Sequence, residues 1–103
     1  MTELEMEAAL AAHLARREDA ATRIRRLLIE RLKVAYPPEM IDLDAPLFGT
    51  GLGLDSVDAV ELVVAIETEF GLTIPEGALG PWAFRTVHSL VEVVLDPPEG
   101  VLR

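Results

Sequence analysis

The 103-residue sequence contains no cysteine. That absence removes disulfide frameworks, thiolate zinc sites and thiol nucleophiles together. Histidine is nearly as scarce: His13 and His88 stand alone, which leaves little for a metal site. Aromatic residues make up only 5% of the chain although 50% of it is hydrophobic, so a core must be built mainly from Ala, Val, Leu and Ile, a composition suited to small packed helices. No apolar run exceeds a few residues, and nothing is expected to span a bilayer. The opening MTELEMEAALAAH places acids where a secretory signal carries bases, with no long apolar run behind it. These absences point to a soluble, cytoplasmic protein of one domain, with no room for a second, catalytic one.

Positive charge is missing from the centre of the chain. Between Val34 and Phe84 there is no Lys or Arg, against nine acids: Glu39, Asp42, Asp44, Asp55, Asp58, Glu61, Glu67, Glu69 and Glu76. Residues 1 to 33 carry seven bases and six acids, and the tail from Arg85 carries two bases and three acids, so the net charge of −9 belongs to the middle segment. Phosphate backbones and anionic membrane surfaces are unfavourable partners for such a chain, and nucleic acid is excluded as a default. The acidic block reads either as a solvated surface that aids solubility or as a docking face for basic partners. The direction of the side chains decides between them.

Breakers divide the chain at YPPEM (36 to 40), GTGLG (49 to 53) and LDPPEG (95 to 100). From about Asp19 to Ala35, the apolar positions Ile24, Leu27, Leu28, Leu32 and Ala35 recur in steps of three and four, predicting an amphipathic helix with a basic outer face. Residues 1 to 18 either extend that helix, since Leu10, Leu14, Ala21 and Ile24 nearly keep its period, or form a flexible arm. Asp55 and Ser56 are both residue types that cap helix starts, and VDAVELVVAIETEF predicts a helix ending at Gly71. LTIPEGALGPWAF leaves space for one short helical turn, and Thr86 caps a last helix, VHSLVEVVL, stopped by Pro97 and Pro98. The expected fold is an all-α, four-helix bundle: three main helices, one short helix and a long loop after the first. The expected division is an N-terminal extension at 1 to 18, the main domain at 19 to 98 and a tail at 99 to 103.

On the central helix, at about 100° per residue, Ala59, Leu62, Val63, Ile66 and Phe70 form one apolar stripe that should face the core. Val57, Glu61, Val64 and Thr68 lie opposite, with Asp58 and Glu69 on a flank. Two valines among carboxylates suit a docking strip, but exposed single apolar residues are also ordinary. Ser56 follows a glycine-rich loop at a helix start, where free amide N–H groups and the helix dipole favour an anion such as a phosphodiester. On position alone, a plain capping residue is the default reading. A hydrolase nucleophile fits less well: no G-x-S-x-G elbow is present and nothing in the sequence brings His88 or His13 to Ser56. His88 reads as a residue on the surface or boundary of its helix. The glycines of GTGLG are not a nucleotide loop, because no Gly-Lys-Ser/Thr follows.

The run LFGTGLGLDSVDAVELVVAIETEFGLTIP resembles the heart of an acyl carrier protein, with G-L-D-S, V-E-L and a helix closing on E-F-G-L-x-I-P. With IDLDAPLF upstream and FRTVHSLVEVV downstream, the resemblance covers roughly Asp19 to Pro98. It implies a discrete carrier, not an enzyme, with 4′-phosphopantetheine attached at Ser56 by a phosphopantetheinyl transferase that uses coenzyme A and Mg²⁺. Acyl groups would ride on the arm as thioesters and be presented to acyl-transfer and ketosynthase-type enzymes bearing basic patches. It further implies that Asp55 is the acid preceding the modified serine and that Asp58, Glu61 and Glu67 are acidic partner-recognition positions. Val57 and Val64 match apolar contact positions, and Leu62 and Ile66 match positions lining an acyl-chain pocket. No metal or catalytic residue is implied, and the chain is expected to be a monomer.

Three departures stand out. Thr68 replaces an acid common in the family, ALGPWAFRT with Trp82 replaces a more acidic segment, and the bases from Arg16 to Lys33 are dense. The form G-L-G-L-D-S resembles carriers of specialised lipid or polyketide-type pathways more than those of primary fatty-acid synthesis. An aminoacyl or peptidyl carrier, and an unmodified helical adaptor that works by binding alone, are the competing readings.

Overall fold

A computed structural model describes all of residues 1–103. Three helices form the bundle: α1 (Glu3–Glu30), α2 (Ser56–Phe70) and α3 (Val87–Leu95). Short 3-10 turns occupy Pro38–Met40 and Pro81–Phe84. The turn at Pro81–Phe84 is the short helical element expected there. The one at Pro38–Met40 was not expected, and it follows from Pro38, whose fixed φ starts a tight turn and whose carbonyl accepts from Ile41 N–H at 3.1 Å.

α1 begins at Thr2, whose hydroxyl accepts from the Glu5 amide. It runs unbroken through residue 18, so residues 1 to 18 adopt the helical alternative. Its end falls earlier than the periodicity predicts. Lys33 takes a left-handed φ of 61°, and the Val34 amide donates back to the Leu28 carbonyl at 3.1 Å, closing the helix before Leu32 and Ala35 can join it. Apolar spacing alone does not register this, because Leu32 still packs against the core from outside the helix.

Nineteen residues are buried, and every one is apolar. Ile24 and Leu28 from α1, Leu62 and Ile66 from α2, and Val87, Leu90 and Val91 from α3 form the centre. The scarcity of aromatics thus produces an aliphatic core, held by close packing of small branched side chains. No helix is long and apolar enough to cross a membrane.

The long loop between α1 and α2 is tied to the rest of the molecule at three points and closed on itself at a fourth. Arg25 Nε donates to the Ile41 carbonyl at 2.9 Å, and the His88 amide donates to the Leu43 carbonyl at 3.0 Å. The Leu47 amide donates to the Arg85 carbonyl at 2.9 Å, and the Leu54 amide donates to the Leu47 carbonyl at 3.0 Å. With Ile41 and Leu47 fully buried, the segment leading into α2 is held in one place. The C-terminal residues are anchored as well: Thr73 and Leu102 exchange backbone hydrogen bonds, and Arg103 Nη2 donates to the Val94 carbonyl at 2.8 Å.

Candidate functional site

The start of α2 is built by a reciprocal cap. The Asp55 carboxylate accepts from the Asp58 amide at 2.9 Å, and the Asp58 carboxylate accepts from the Asp55 amide at 3.0 Å. Asp55 is therefore the N-cap, and Ser56 is the first helical residue. This division of labour removes the reading of Ser56 as a plain cap. The Ser56 hydroxyl is exposed and has no hydrogen-bond partner in the protein. The chain has one other serine, Ser89, whose hydroxyl is the N3 side of the α3 capping box and lies 2.9 Å from the Ala83 carbonyl. Ser56 is the free one.

Neither histidine reaches it. His88 Nδ1 is 2.7 Å from Asp44 Oδ1 on the exposed side of α3, as a surface or boundary residue should be. His13 is exposed on α1. Ser56 thus lacks the adjoining base that a serine nucleophile needs for its own catalysis. It does have the first-turn amides and positive dipole end of a four-turn helix, which stabilise an attached anion. Asp55 and Asp58 flank the hydroxyl, but each carboxylate is held against a backbone amide of the cap.

The face of α2 differs from the expectation in its rotation. Leu62, Ala65 and Ile66 are the buried residues, while Ala59, Val63 and Phe70 are only half-buried. The buried sector is turned by roughly 60° towards Ala65, whose small, fully buried side chain lets α2 lie close against α1. Glu69 moves inward with that rotation. Its Oε2 accepts from Arg23 Nε at 2.8 Å and lies 3.3 Å from Arg26 Nη2, while Arg23 covers the Phe70 ring at 4.4 Å from its centroid. Glu69 is a clasp between helices, not a flank of the docking strip.

Glu67 also serves the fold. Its Oε2 accepts from the Ile74 amide at 2.8 Å, fixing the chain after Gly71 and leaving the carboxylate half-buried. Of the three acidic partner-recognition positions expected from the resemblance, Asp58, Glu61 and Glu67, only Glu61 is exposed, with Arg31 Nη2 at 3.8 Å. Two further residues belong to this surface and were missed. Val60 is 66% exposed, and Arg31 joins Ser56, Val57, Val60, Glu61 and Val64 in lining one open groove. Val60 lies at the edge of the outward sector on a helical wheel, so a wider sector would have included it; no sequence signal places Arg31 there.

Leu62 and Ile66 sit in a filled core, and neither lines any of the five principal grooves. The expected acyl-chain pocket is therefore closed at these side chains. The nearest open apolar recess is formed by Pro46, Phe48, Ala59, Pro81 and Phe84 with Arg85 and Thr86, and Ala59 lies one helical turn from Ser56.

The clasp has a pH signature. Hydrogen bonding to Arg23 holds the Glu69 carboxyl below its ordinary value and raises the Arg23 guanidinium, outweighing the opposing effect of burial on each. A lowered folded-state value means that the pair stabilises the fold fully above the unfolded carboxyl's titration, near about pH 4.3. The contribution is lost as pH falls through the lowered value. Glu69→Gln should accordingly flatten the loss of unfolding temperature below that pH while costing about 1–2 kcal/mol at pH 7, measured by thermal denaturation.

Comparison with known proteins agrees with this geometry. The profile of the family described as "Phosphopantetheine attachment site" matches residues 22–94, a span that contains Ser56 and leaves residues 3 to 21 of α1 outside it. The "Acyl carrier protein" of Rhodopseudomonas palustris (strain TIE-1) is 45% identical over 56 residues, covering 54% of this chain and 67% of that protein. The protein of the same name from Nitrobacter winogradskyi shows the same identity and coverage. The chain belongs to the acyl carrier protein family, a family of carriers that hold 4′-phosphopantetheine as a covalently attached prosthetic group.

Proposed function

We propose that Ser56 is the attachment point of the arm and that the chain works as a discrete acyl carrier in the cytoplasm. The observation that carries this reading is the free Ser56 hydroxyl at the first position of α2, presented by a cap that Asp55 and Asp58 complete without it. When attached, the group supplies a terminal thiol on which acyl chains are held as thioesters. The protein's own contribution is positional. The tethered loop keeps the hydroxyl exposed, the helix terminus stabilises the phosphodiester, and the valines beside it offer contact area to partner enzymes. The form G-L-G-L-D-S favours specialised lipid or polyketide-type cargo.

Incubation with coenzyme A, Mg²⁺ and a phosphopantetheinyl transferase should add the mass of one arm per chain. An unmodified chain after complete conversion of a known carrier in the same tube would refute the proposal and favour the binding-only adaptor.

Partner enzymes should read the groove through Val57, Val60 and Val64, with Glu61 as the steering charge. Glu61→Lys should slow modification or acyl transfer about tenfold, mainly through encounter rate, and the deficit should shrink in high salt. Its effect on unfolding should stay within about 0.5 kcal/mol, because the side chain is outside the core and its contact with Arg31 is long. Calorimetry beside transfer kinetics separates the two effects.

A further inference from the structure

The first half of α1 projects beyond the bundle. Residues 1 to 16 are all exposed, and the first buried residue of the helix is Ala20. The projection gives the protein a long dimension of 47 Å and a radius of gyration of 14.5 Å. A compact domain of this length would have about 13 Å. At about 100° per residue, Met6, Leu10 and Leu14 fall in line with Ala21, Ile24 and Leu28, so the stripe that packs into the core continues outward. On the projection those side chains are 59%, 58% and 54% exposed. A lone helical segment this short is marginal in water and gains most from packing its apolar stripe.

We propose that this projection pairs with the same segment of a second copy, antiparallel, about a two-fold axis at Leu10. The pattern is self-complementary about that residue. The axis sets Leu10 on Leu10 and Met6 on Leu14 of the second copy, and the reverse contacts follow by symmetry. It also sets Glu3 towards Arg17 of the second copy, whose guanidinium is already paired with Glu92 of its own bundle and would be shared, and Glu7 beside its His13, so the acidic end of one stripe meets the more basic end of the other. A parallel pair would stack Glu3 on Glu3 and Glu7 on Glu7 and is disfavoured. An anionic membrane surface is disfavoured by the same acids. Antiparallel pairing leaves the two bundles at opposite ends of the contact. The groove that contains Ser56 includes Arg31, at the other end of α1, and stays uncovered. A contact confined to one apolar stripe of about four helical turns should bury less than the roughly 1,200 Å² of stable complexes, so the dimer should be weak, in the micromolar range.

Sedimentation of the full chain from micromolar to millimolar concentration should show the mass doubling. Leu10→Lys should hold the single-chain mass throughout with an unchanged unfolding temperature, since Leu10 touches nothing in the bundle. The absence of native cysteine allows a second measurement. Leu10→Cys, on the axis, should form a disulfide dimer at least about tenfold faster than Ala9→Cys, which points about 100° away. A single-chain mass at every concentration, a dimer that survives Leu10→Lys, or equal cross-linking at the two positions would each overturn the proposal. Ser56→Ala should dimerise like the parent, which keeps this result separate from the assignment of the modification site.

Discussion

Ser56→Ala should abolish arm attachment while leaving the fold untouched. The substitution removes the one serine oxygen that is both exposed and unbonded, so the expected loss is complete and not partial. Stability should change by less than about 0.5 kcal/mol, because no hydrogen bond is broken and alanine is at least as good a helix former. Ser89→Ala supplies the contrast. It removes the Ser89 hydroxyl that accepts from the Thr86 amide, breaking one side of the α3 capping box, and should lower stability by about 1 kcal/mol, yet leave modification intact. Intact-mass measurement with circular dichroism on both variants distinguishes a modified residue from a structural one. Modification persisting in Ser56→Ala would refute the assignment.

Gly51→Ala should damage the site from the other side. A Cβ at Gly51 would lie 1.7 Å from the Pro46 carbonyl oxygen, which also accepts the Leu52 amide at 3.0 Å. Backbone blocks the space on that side, so the loop must shift and release the bonds that hold Leu47 and Leu54. A cost of about 1–3 kcal/mol is expected, accompanied by slower modification, since the displaced segment leads directly into Asp55 and Ser56. Gly49→Ala, where the added carbon meets nothing within 4 Å but φ is +66°, should cost about 1 kcal/mol and spare the rate. A Gly51→Ala chain as stable and as readily modified as the parent would mean that the loop does not position the serine.

Much of this architecture is legible in local chemistry. Asp55, Gly71 and Thr86 mark helix ends because capping and left-handed φ are decided within a few residues. The free serine is legible as a position but not as a free group: Asp55 and Ser56 are equally good caps on paper, and only the reciprocal bond with Asp58 settles which is used. The acidic strip shows where sequence reading stops. Glu61, Glu67 and Glu69 look alike along the helix. One faces solvent, one holds the amide of Ile74, and one is clasped by Arg23 from a helix far away in sequence, because the rotation of α2 depends on how closely Ala65 approaches its neighbours. The outward continuation of the α1 stripe is visible as periodicity, whereas its lack of a covering element is a property of the folded chain.

The core described above contains no buried polar side chain. Its cohesion is therefore non-directional. Separating α2 from α3 by the width of a methylene chain would strand no donor or acceptor, and the only loss would be dispersion contacts that an alkyl guest makes equally well. A core pinned by internal hydrogen bonds would resist such an opening in steps. This one can yield gradually, so if an acyl chain enters it, as the family resemblance implies for Leu62 and Ile66, uptake should be graded by chain volume and not set by a fixed compartment.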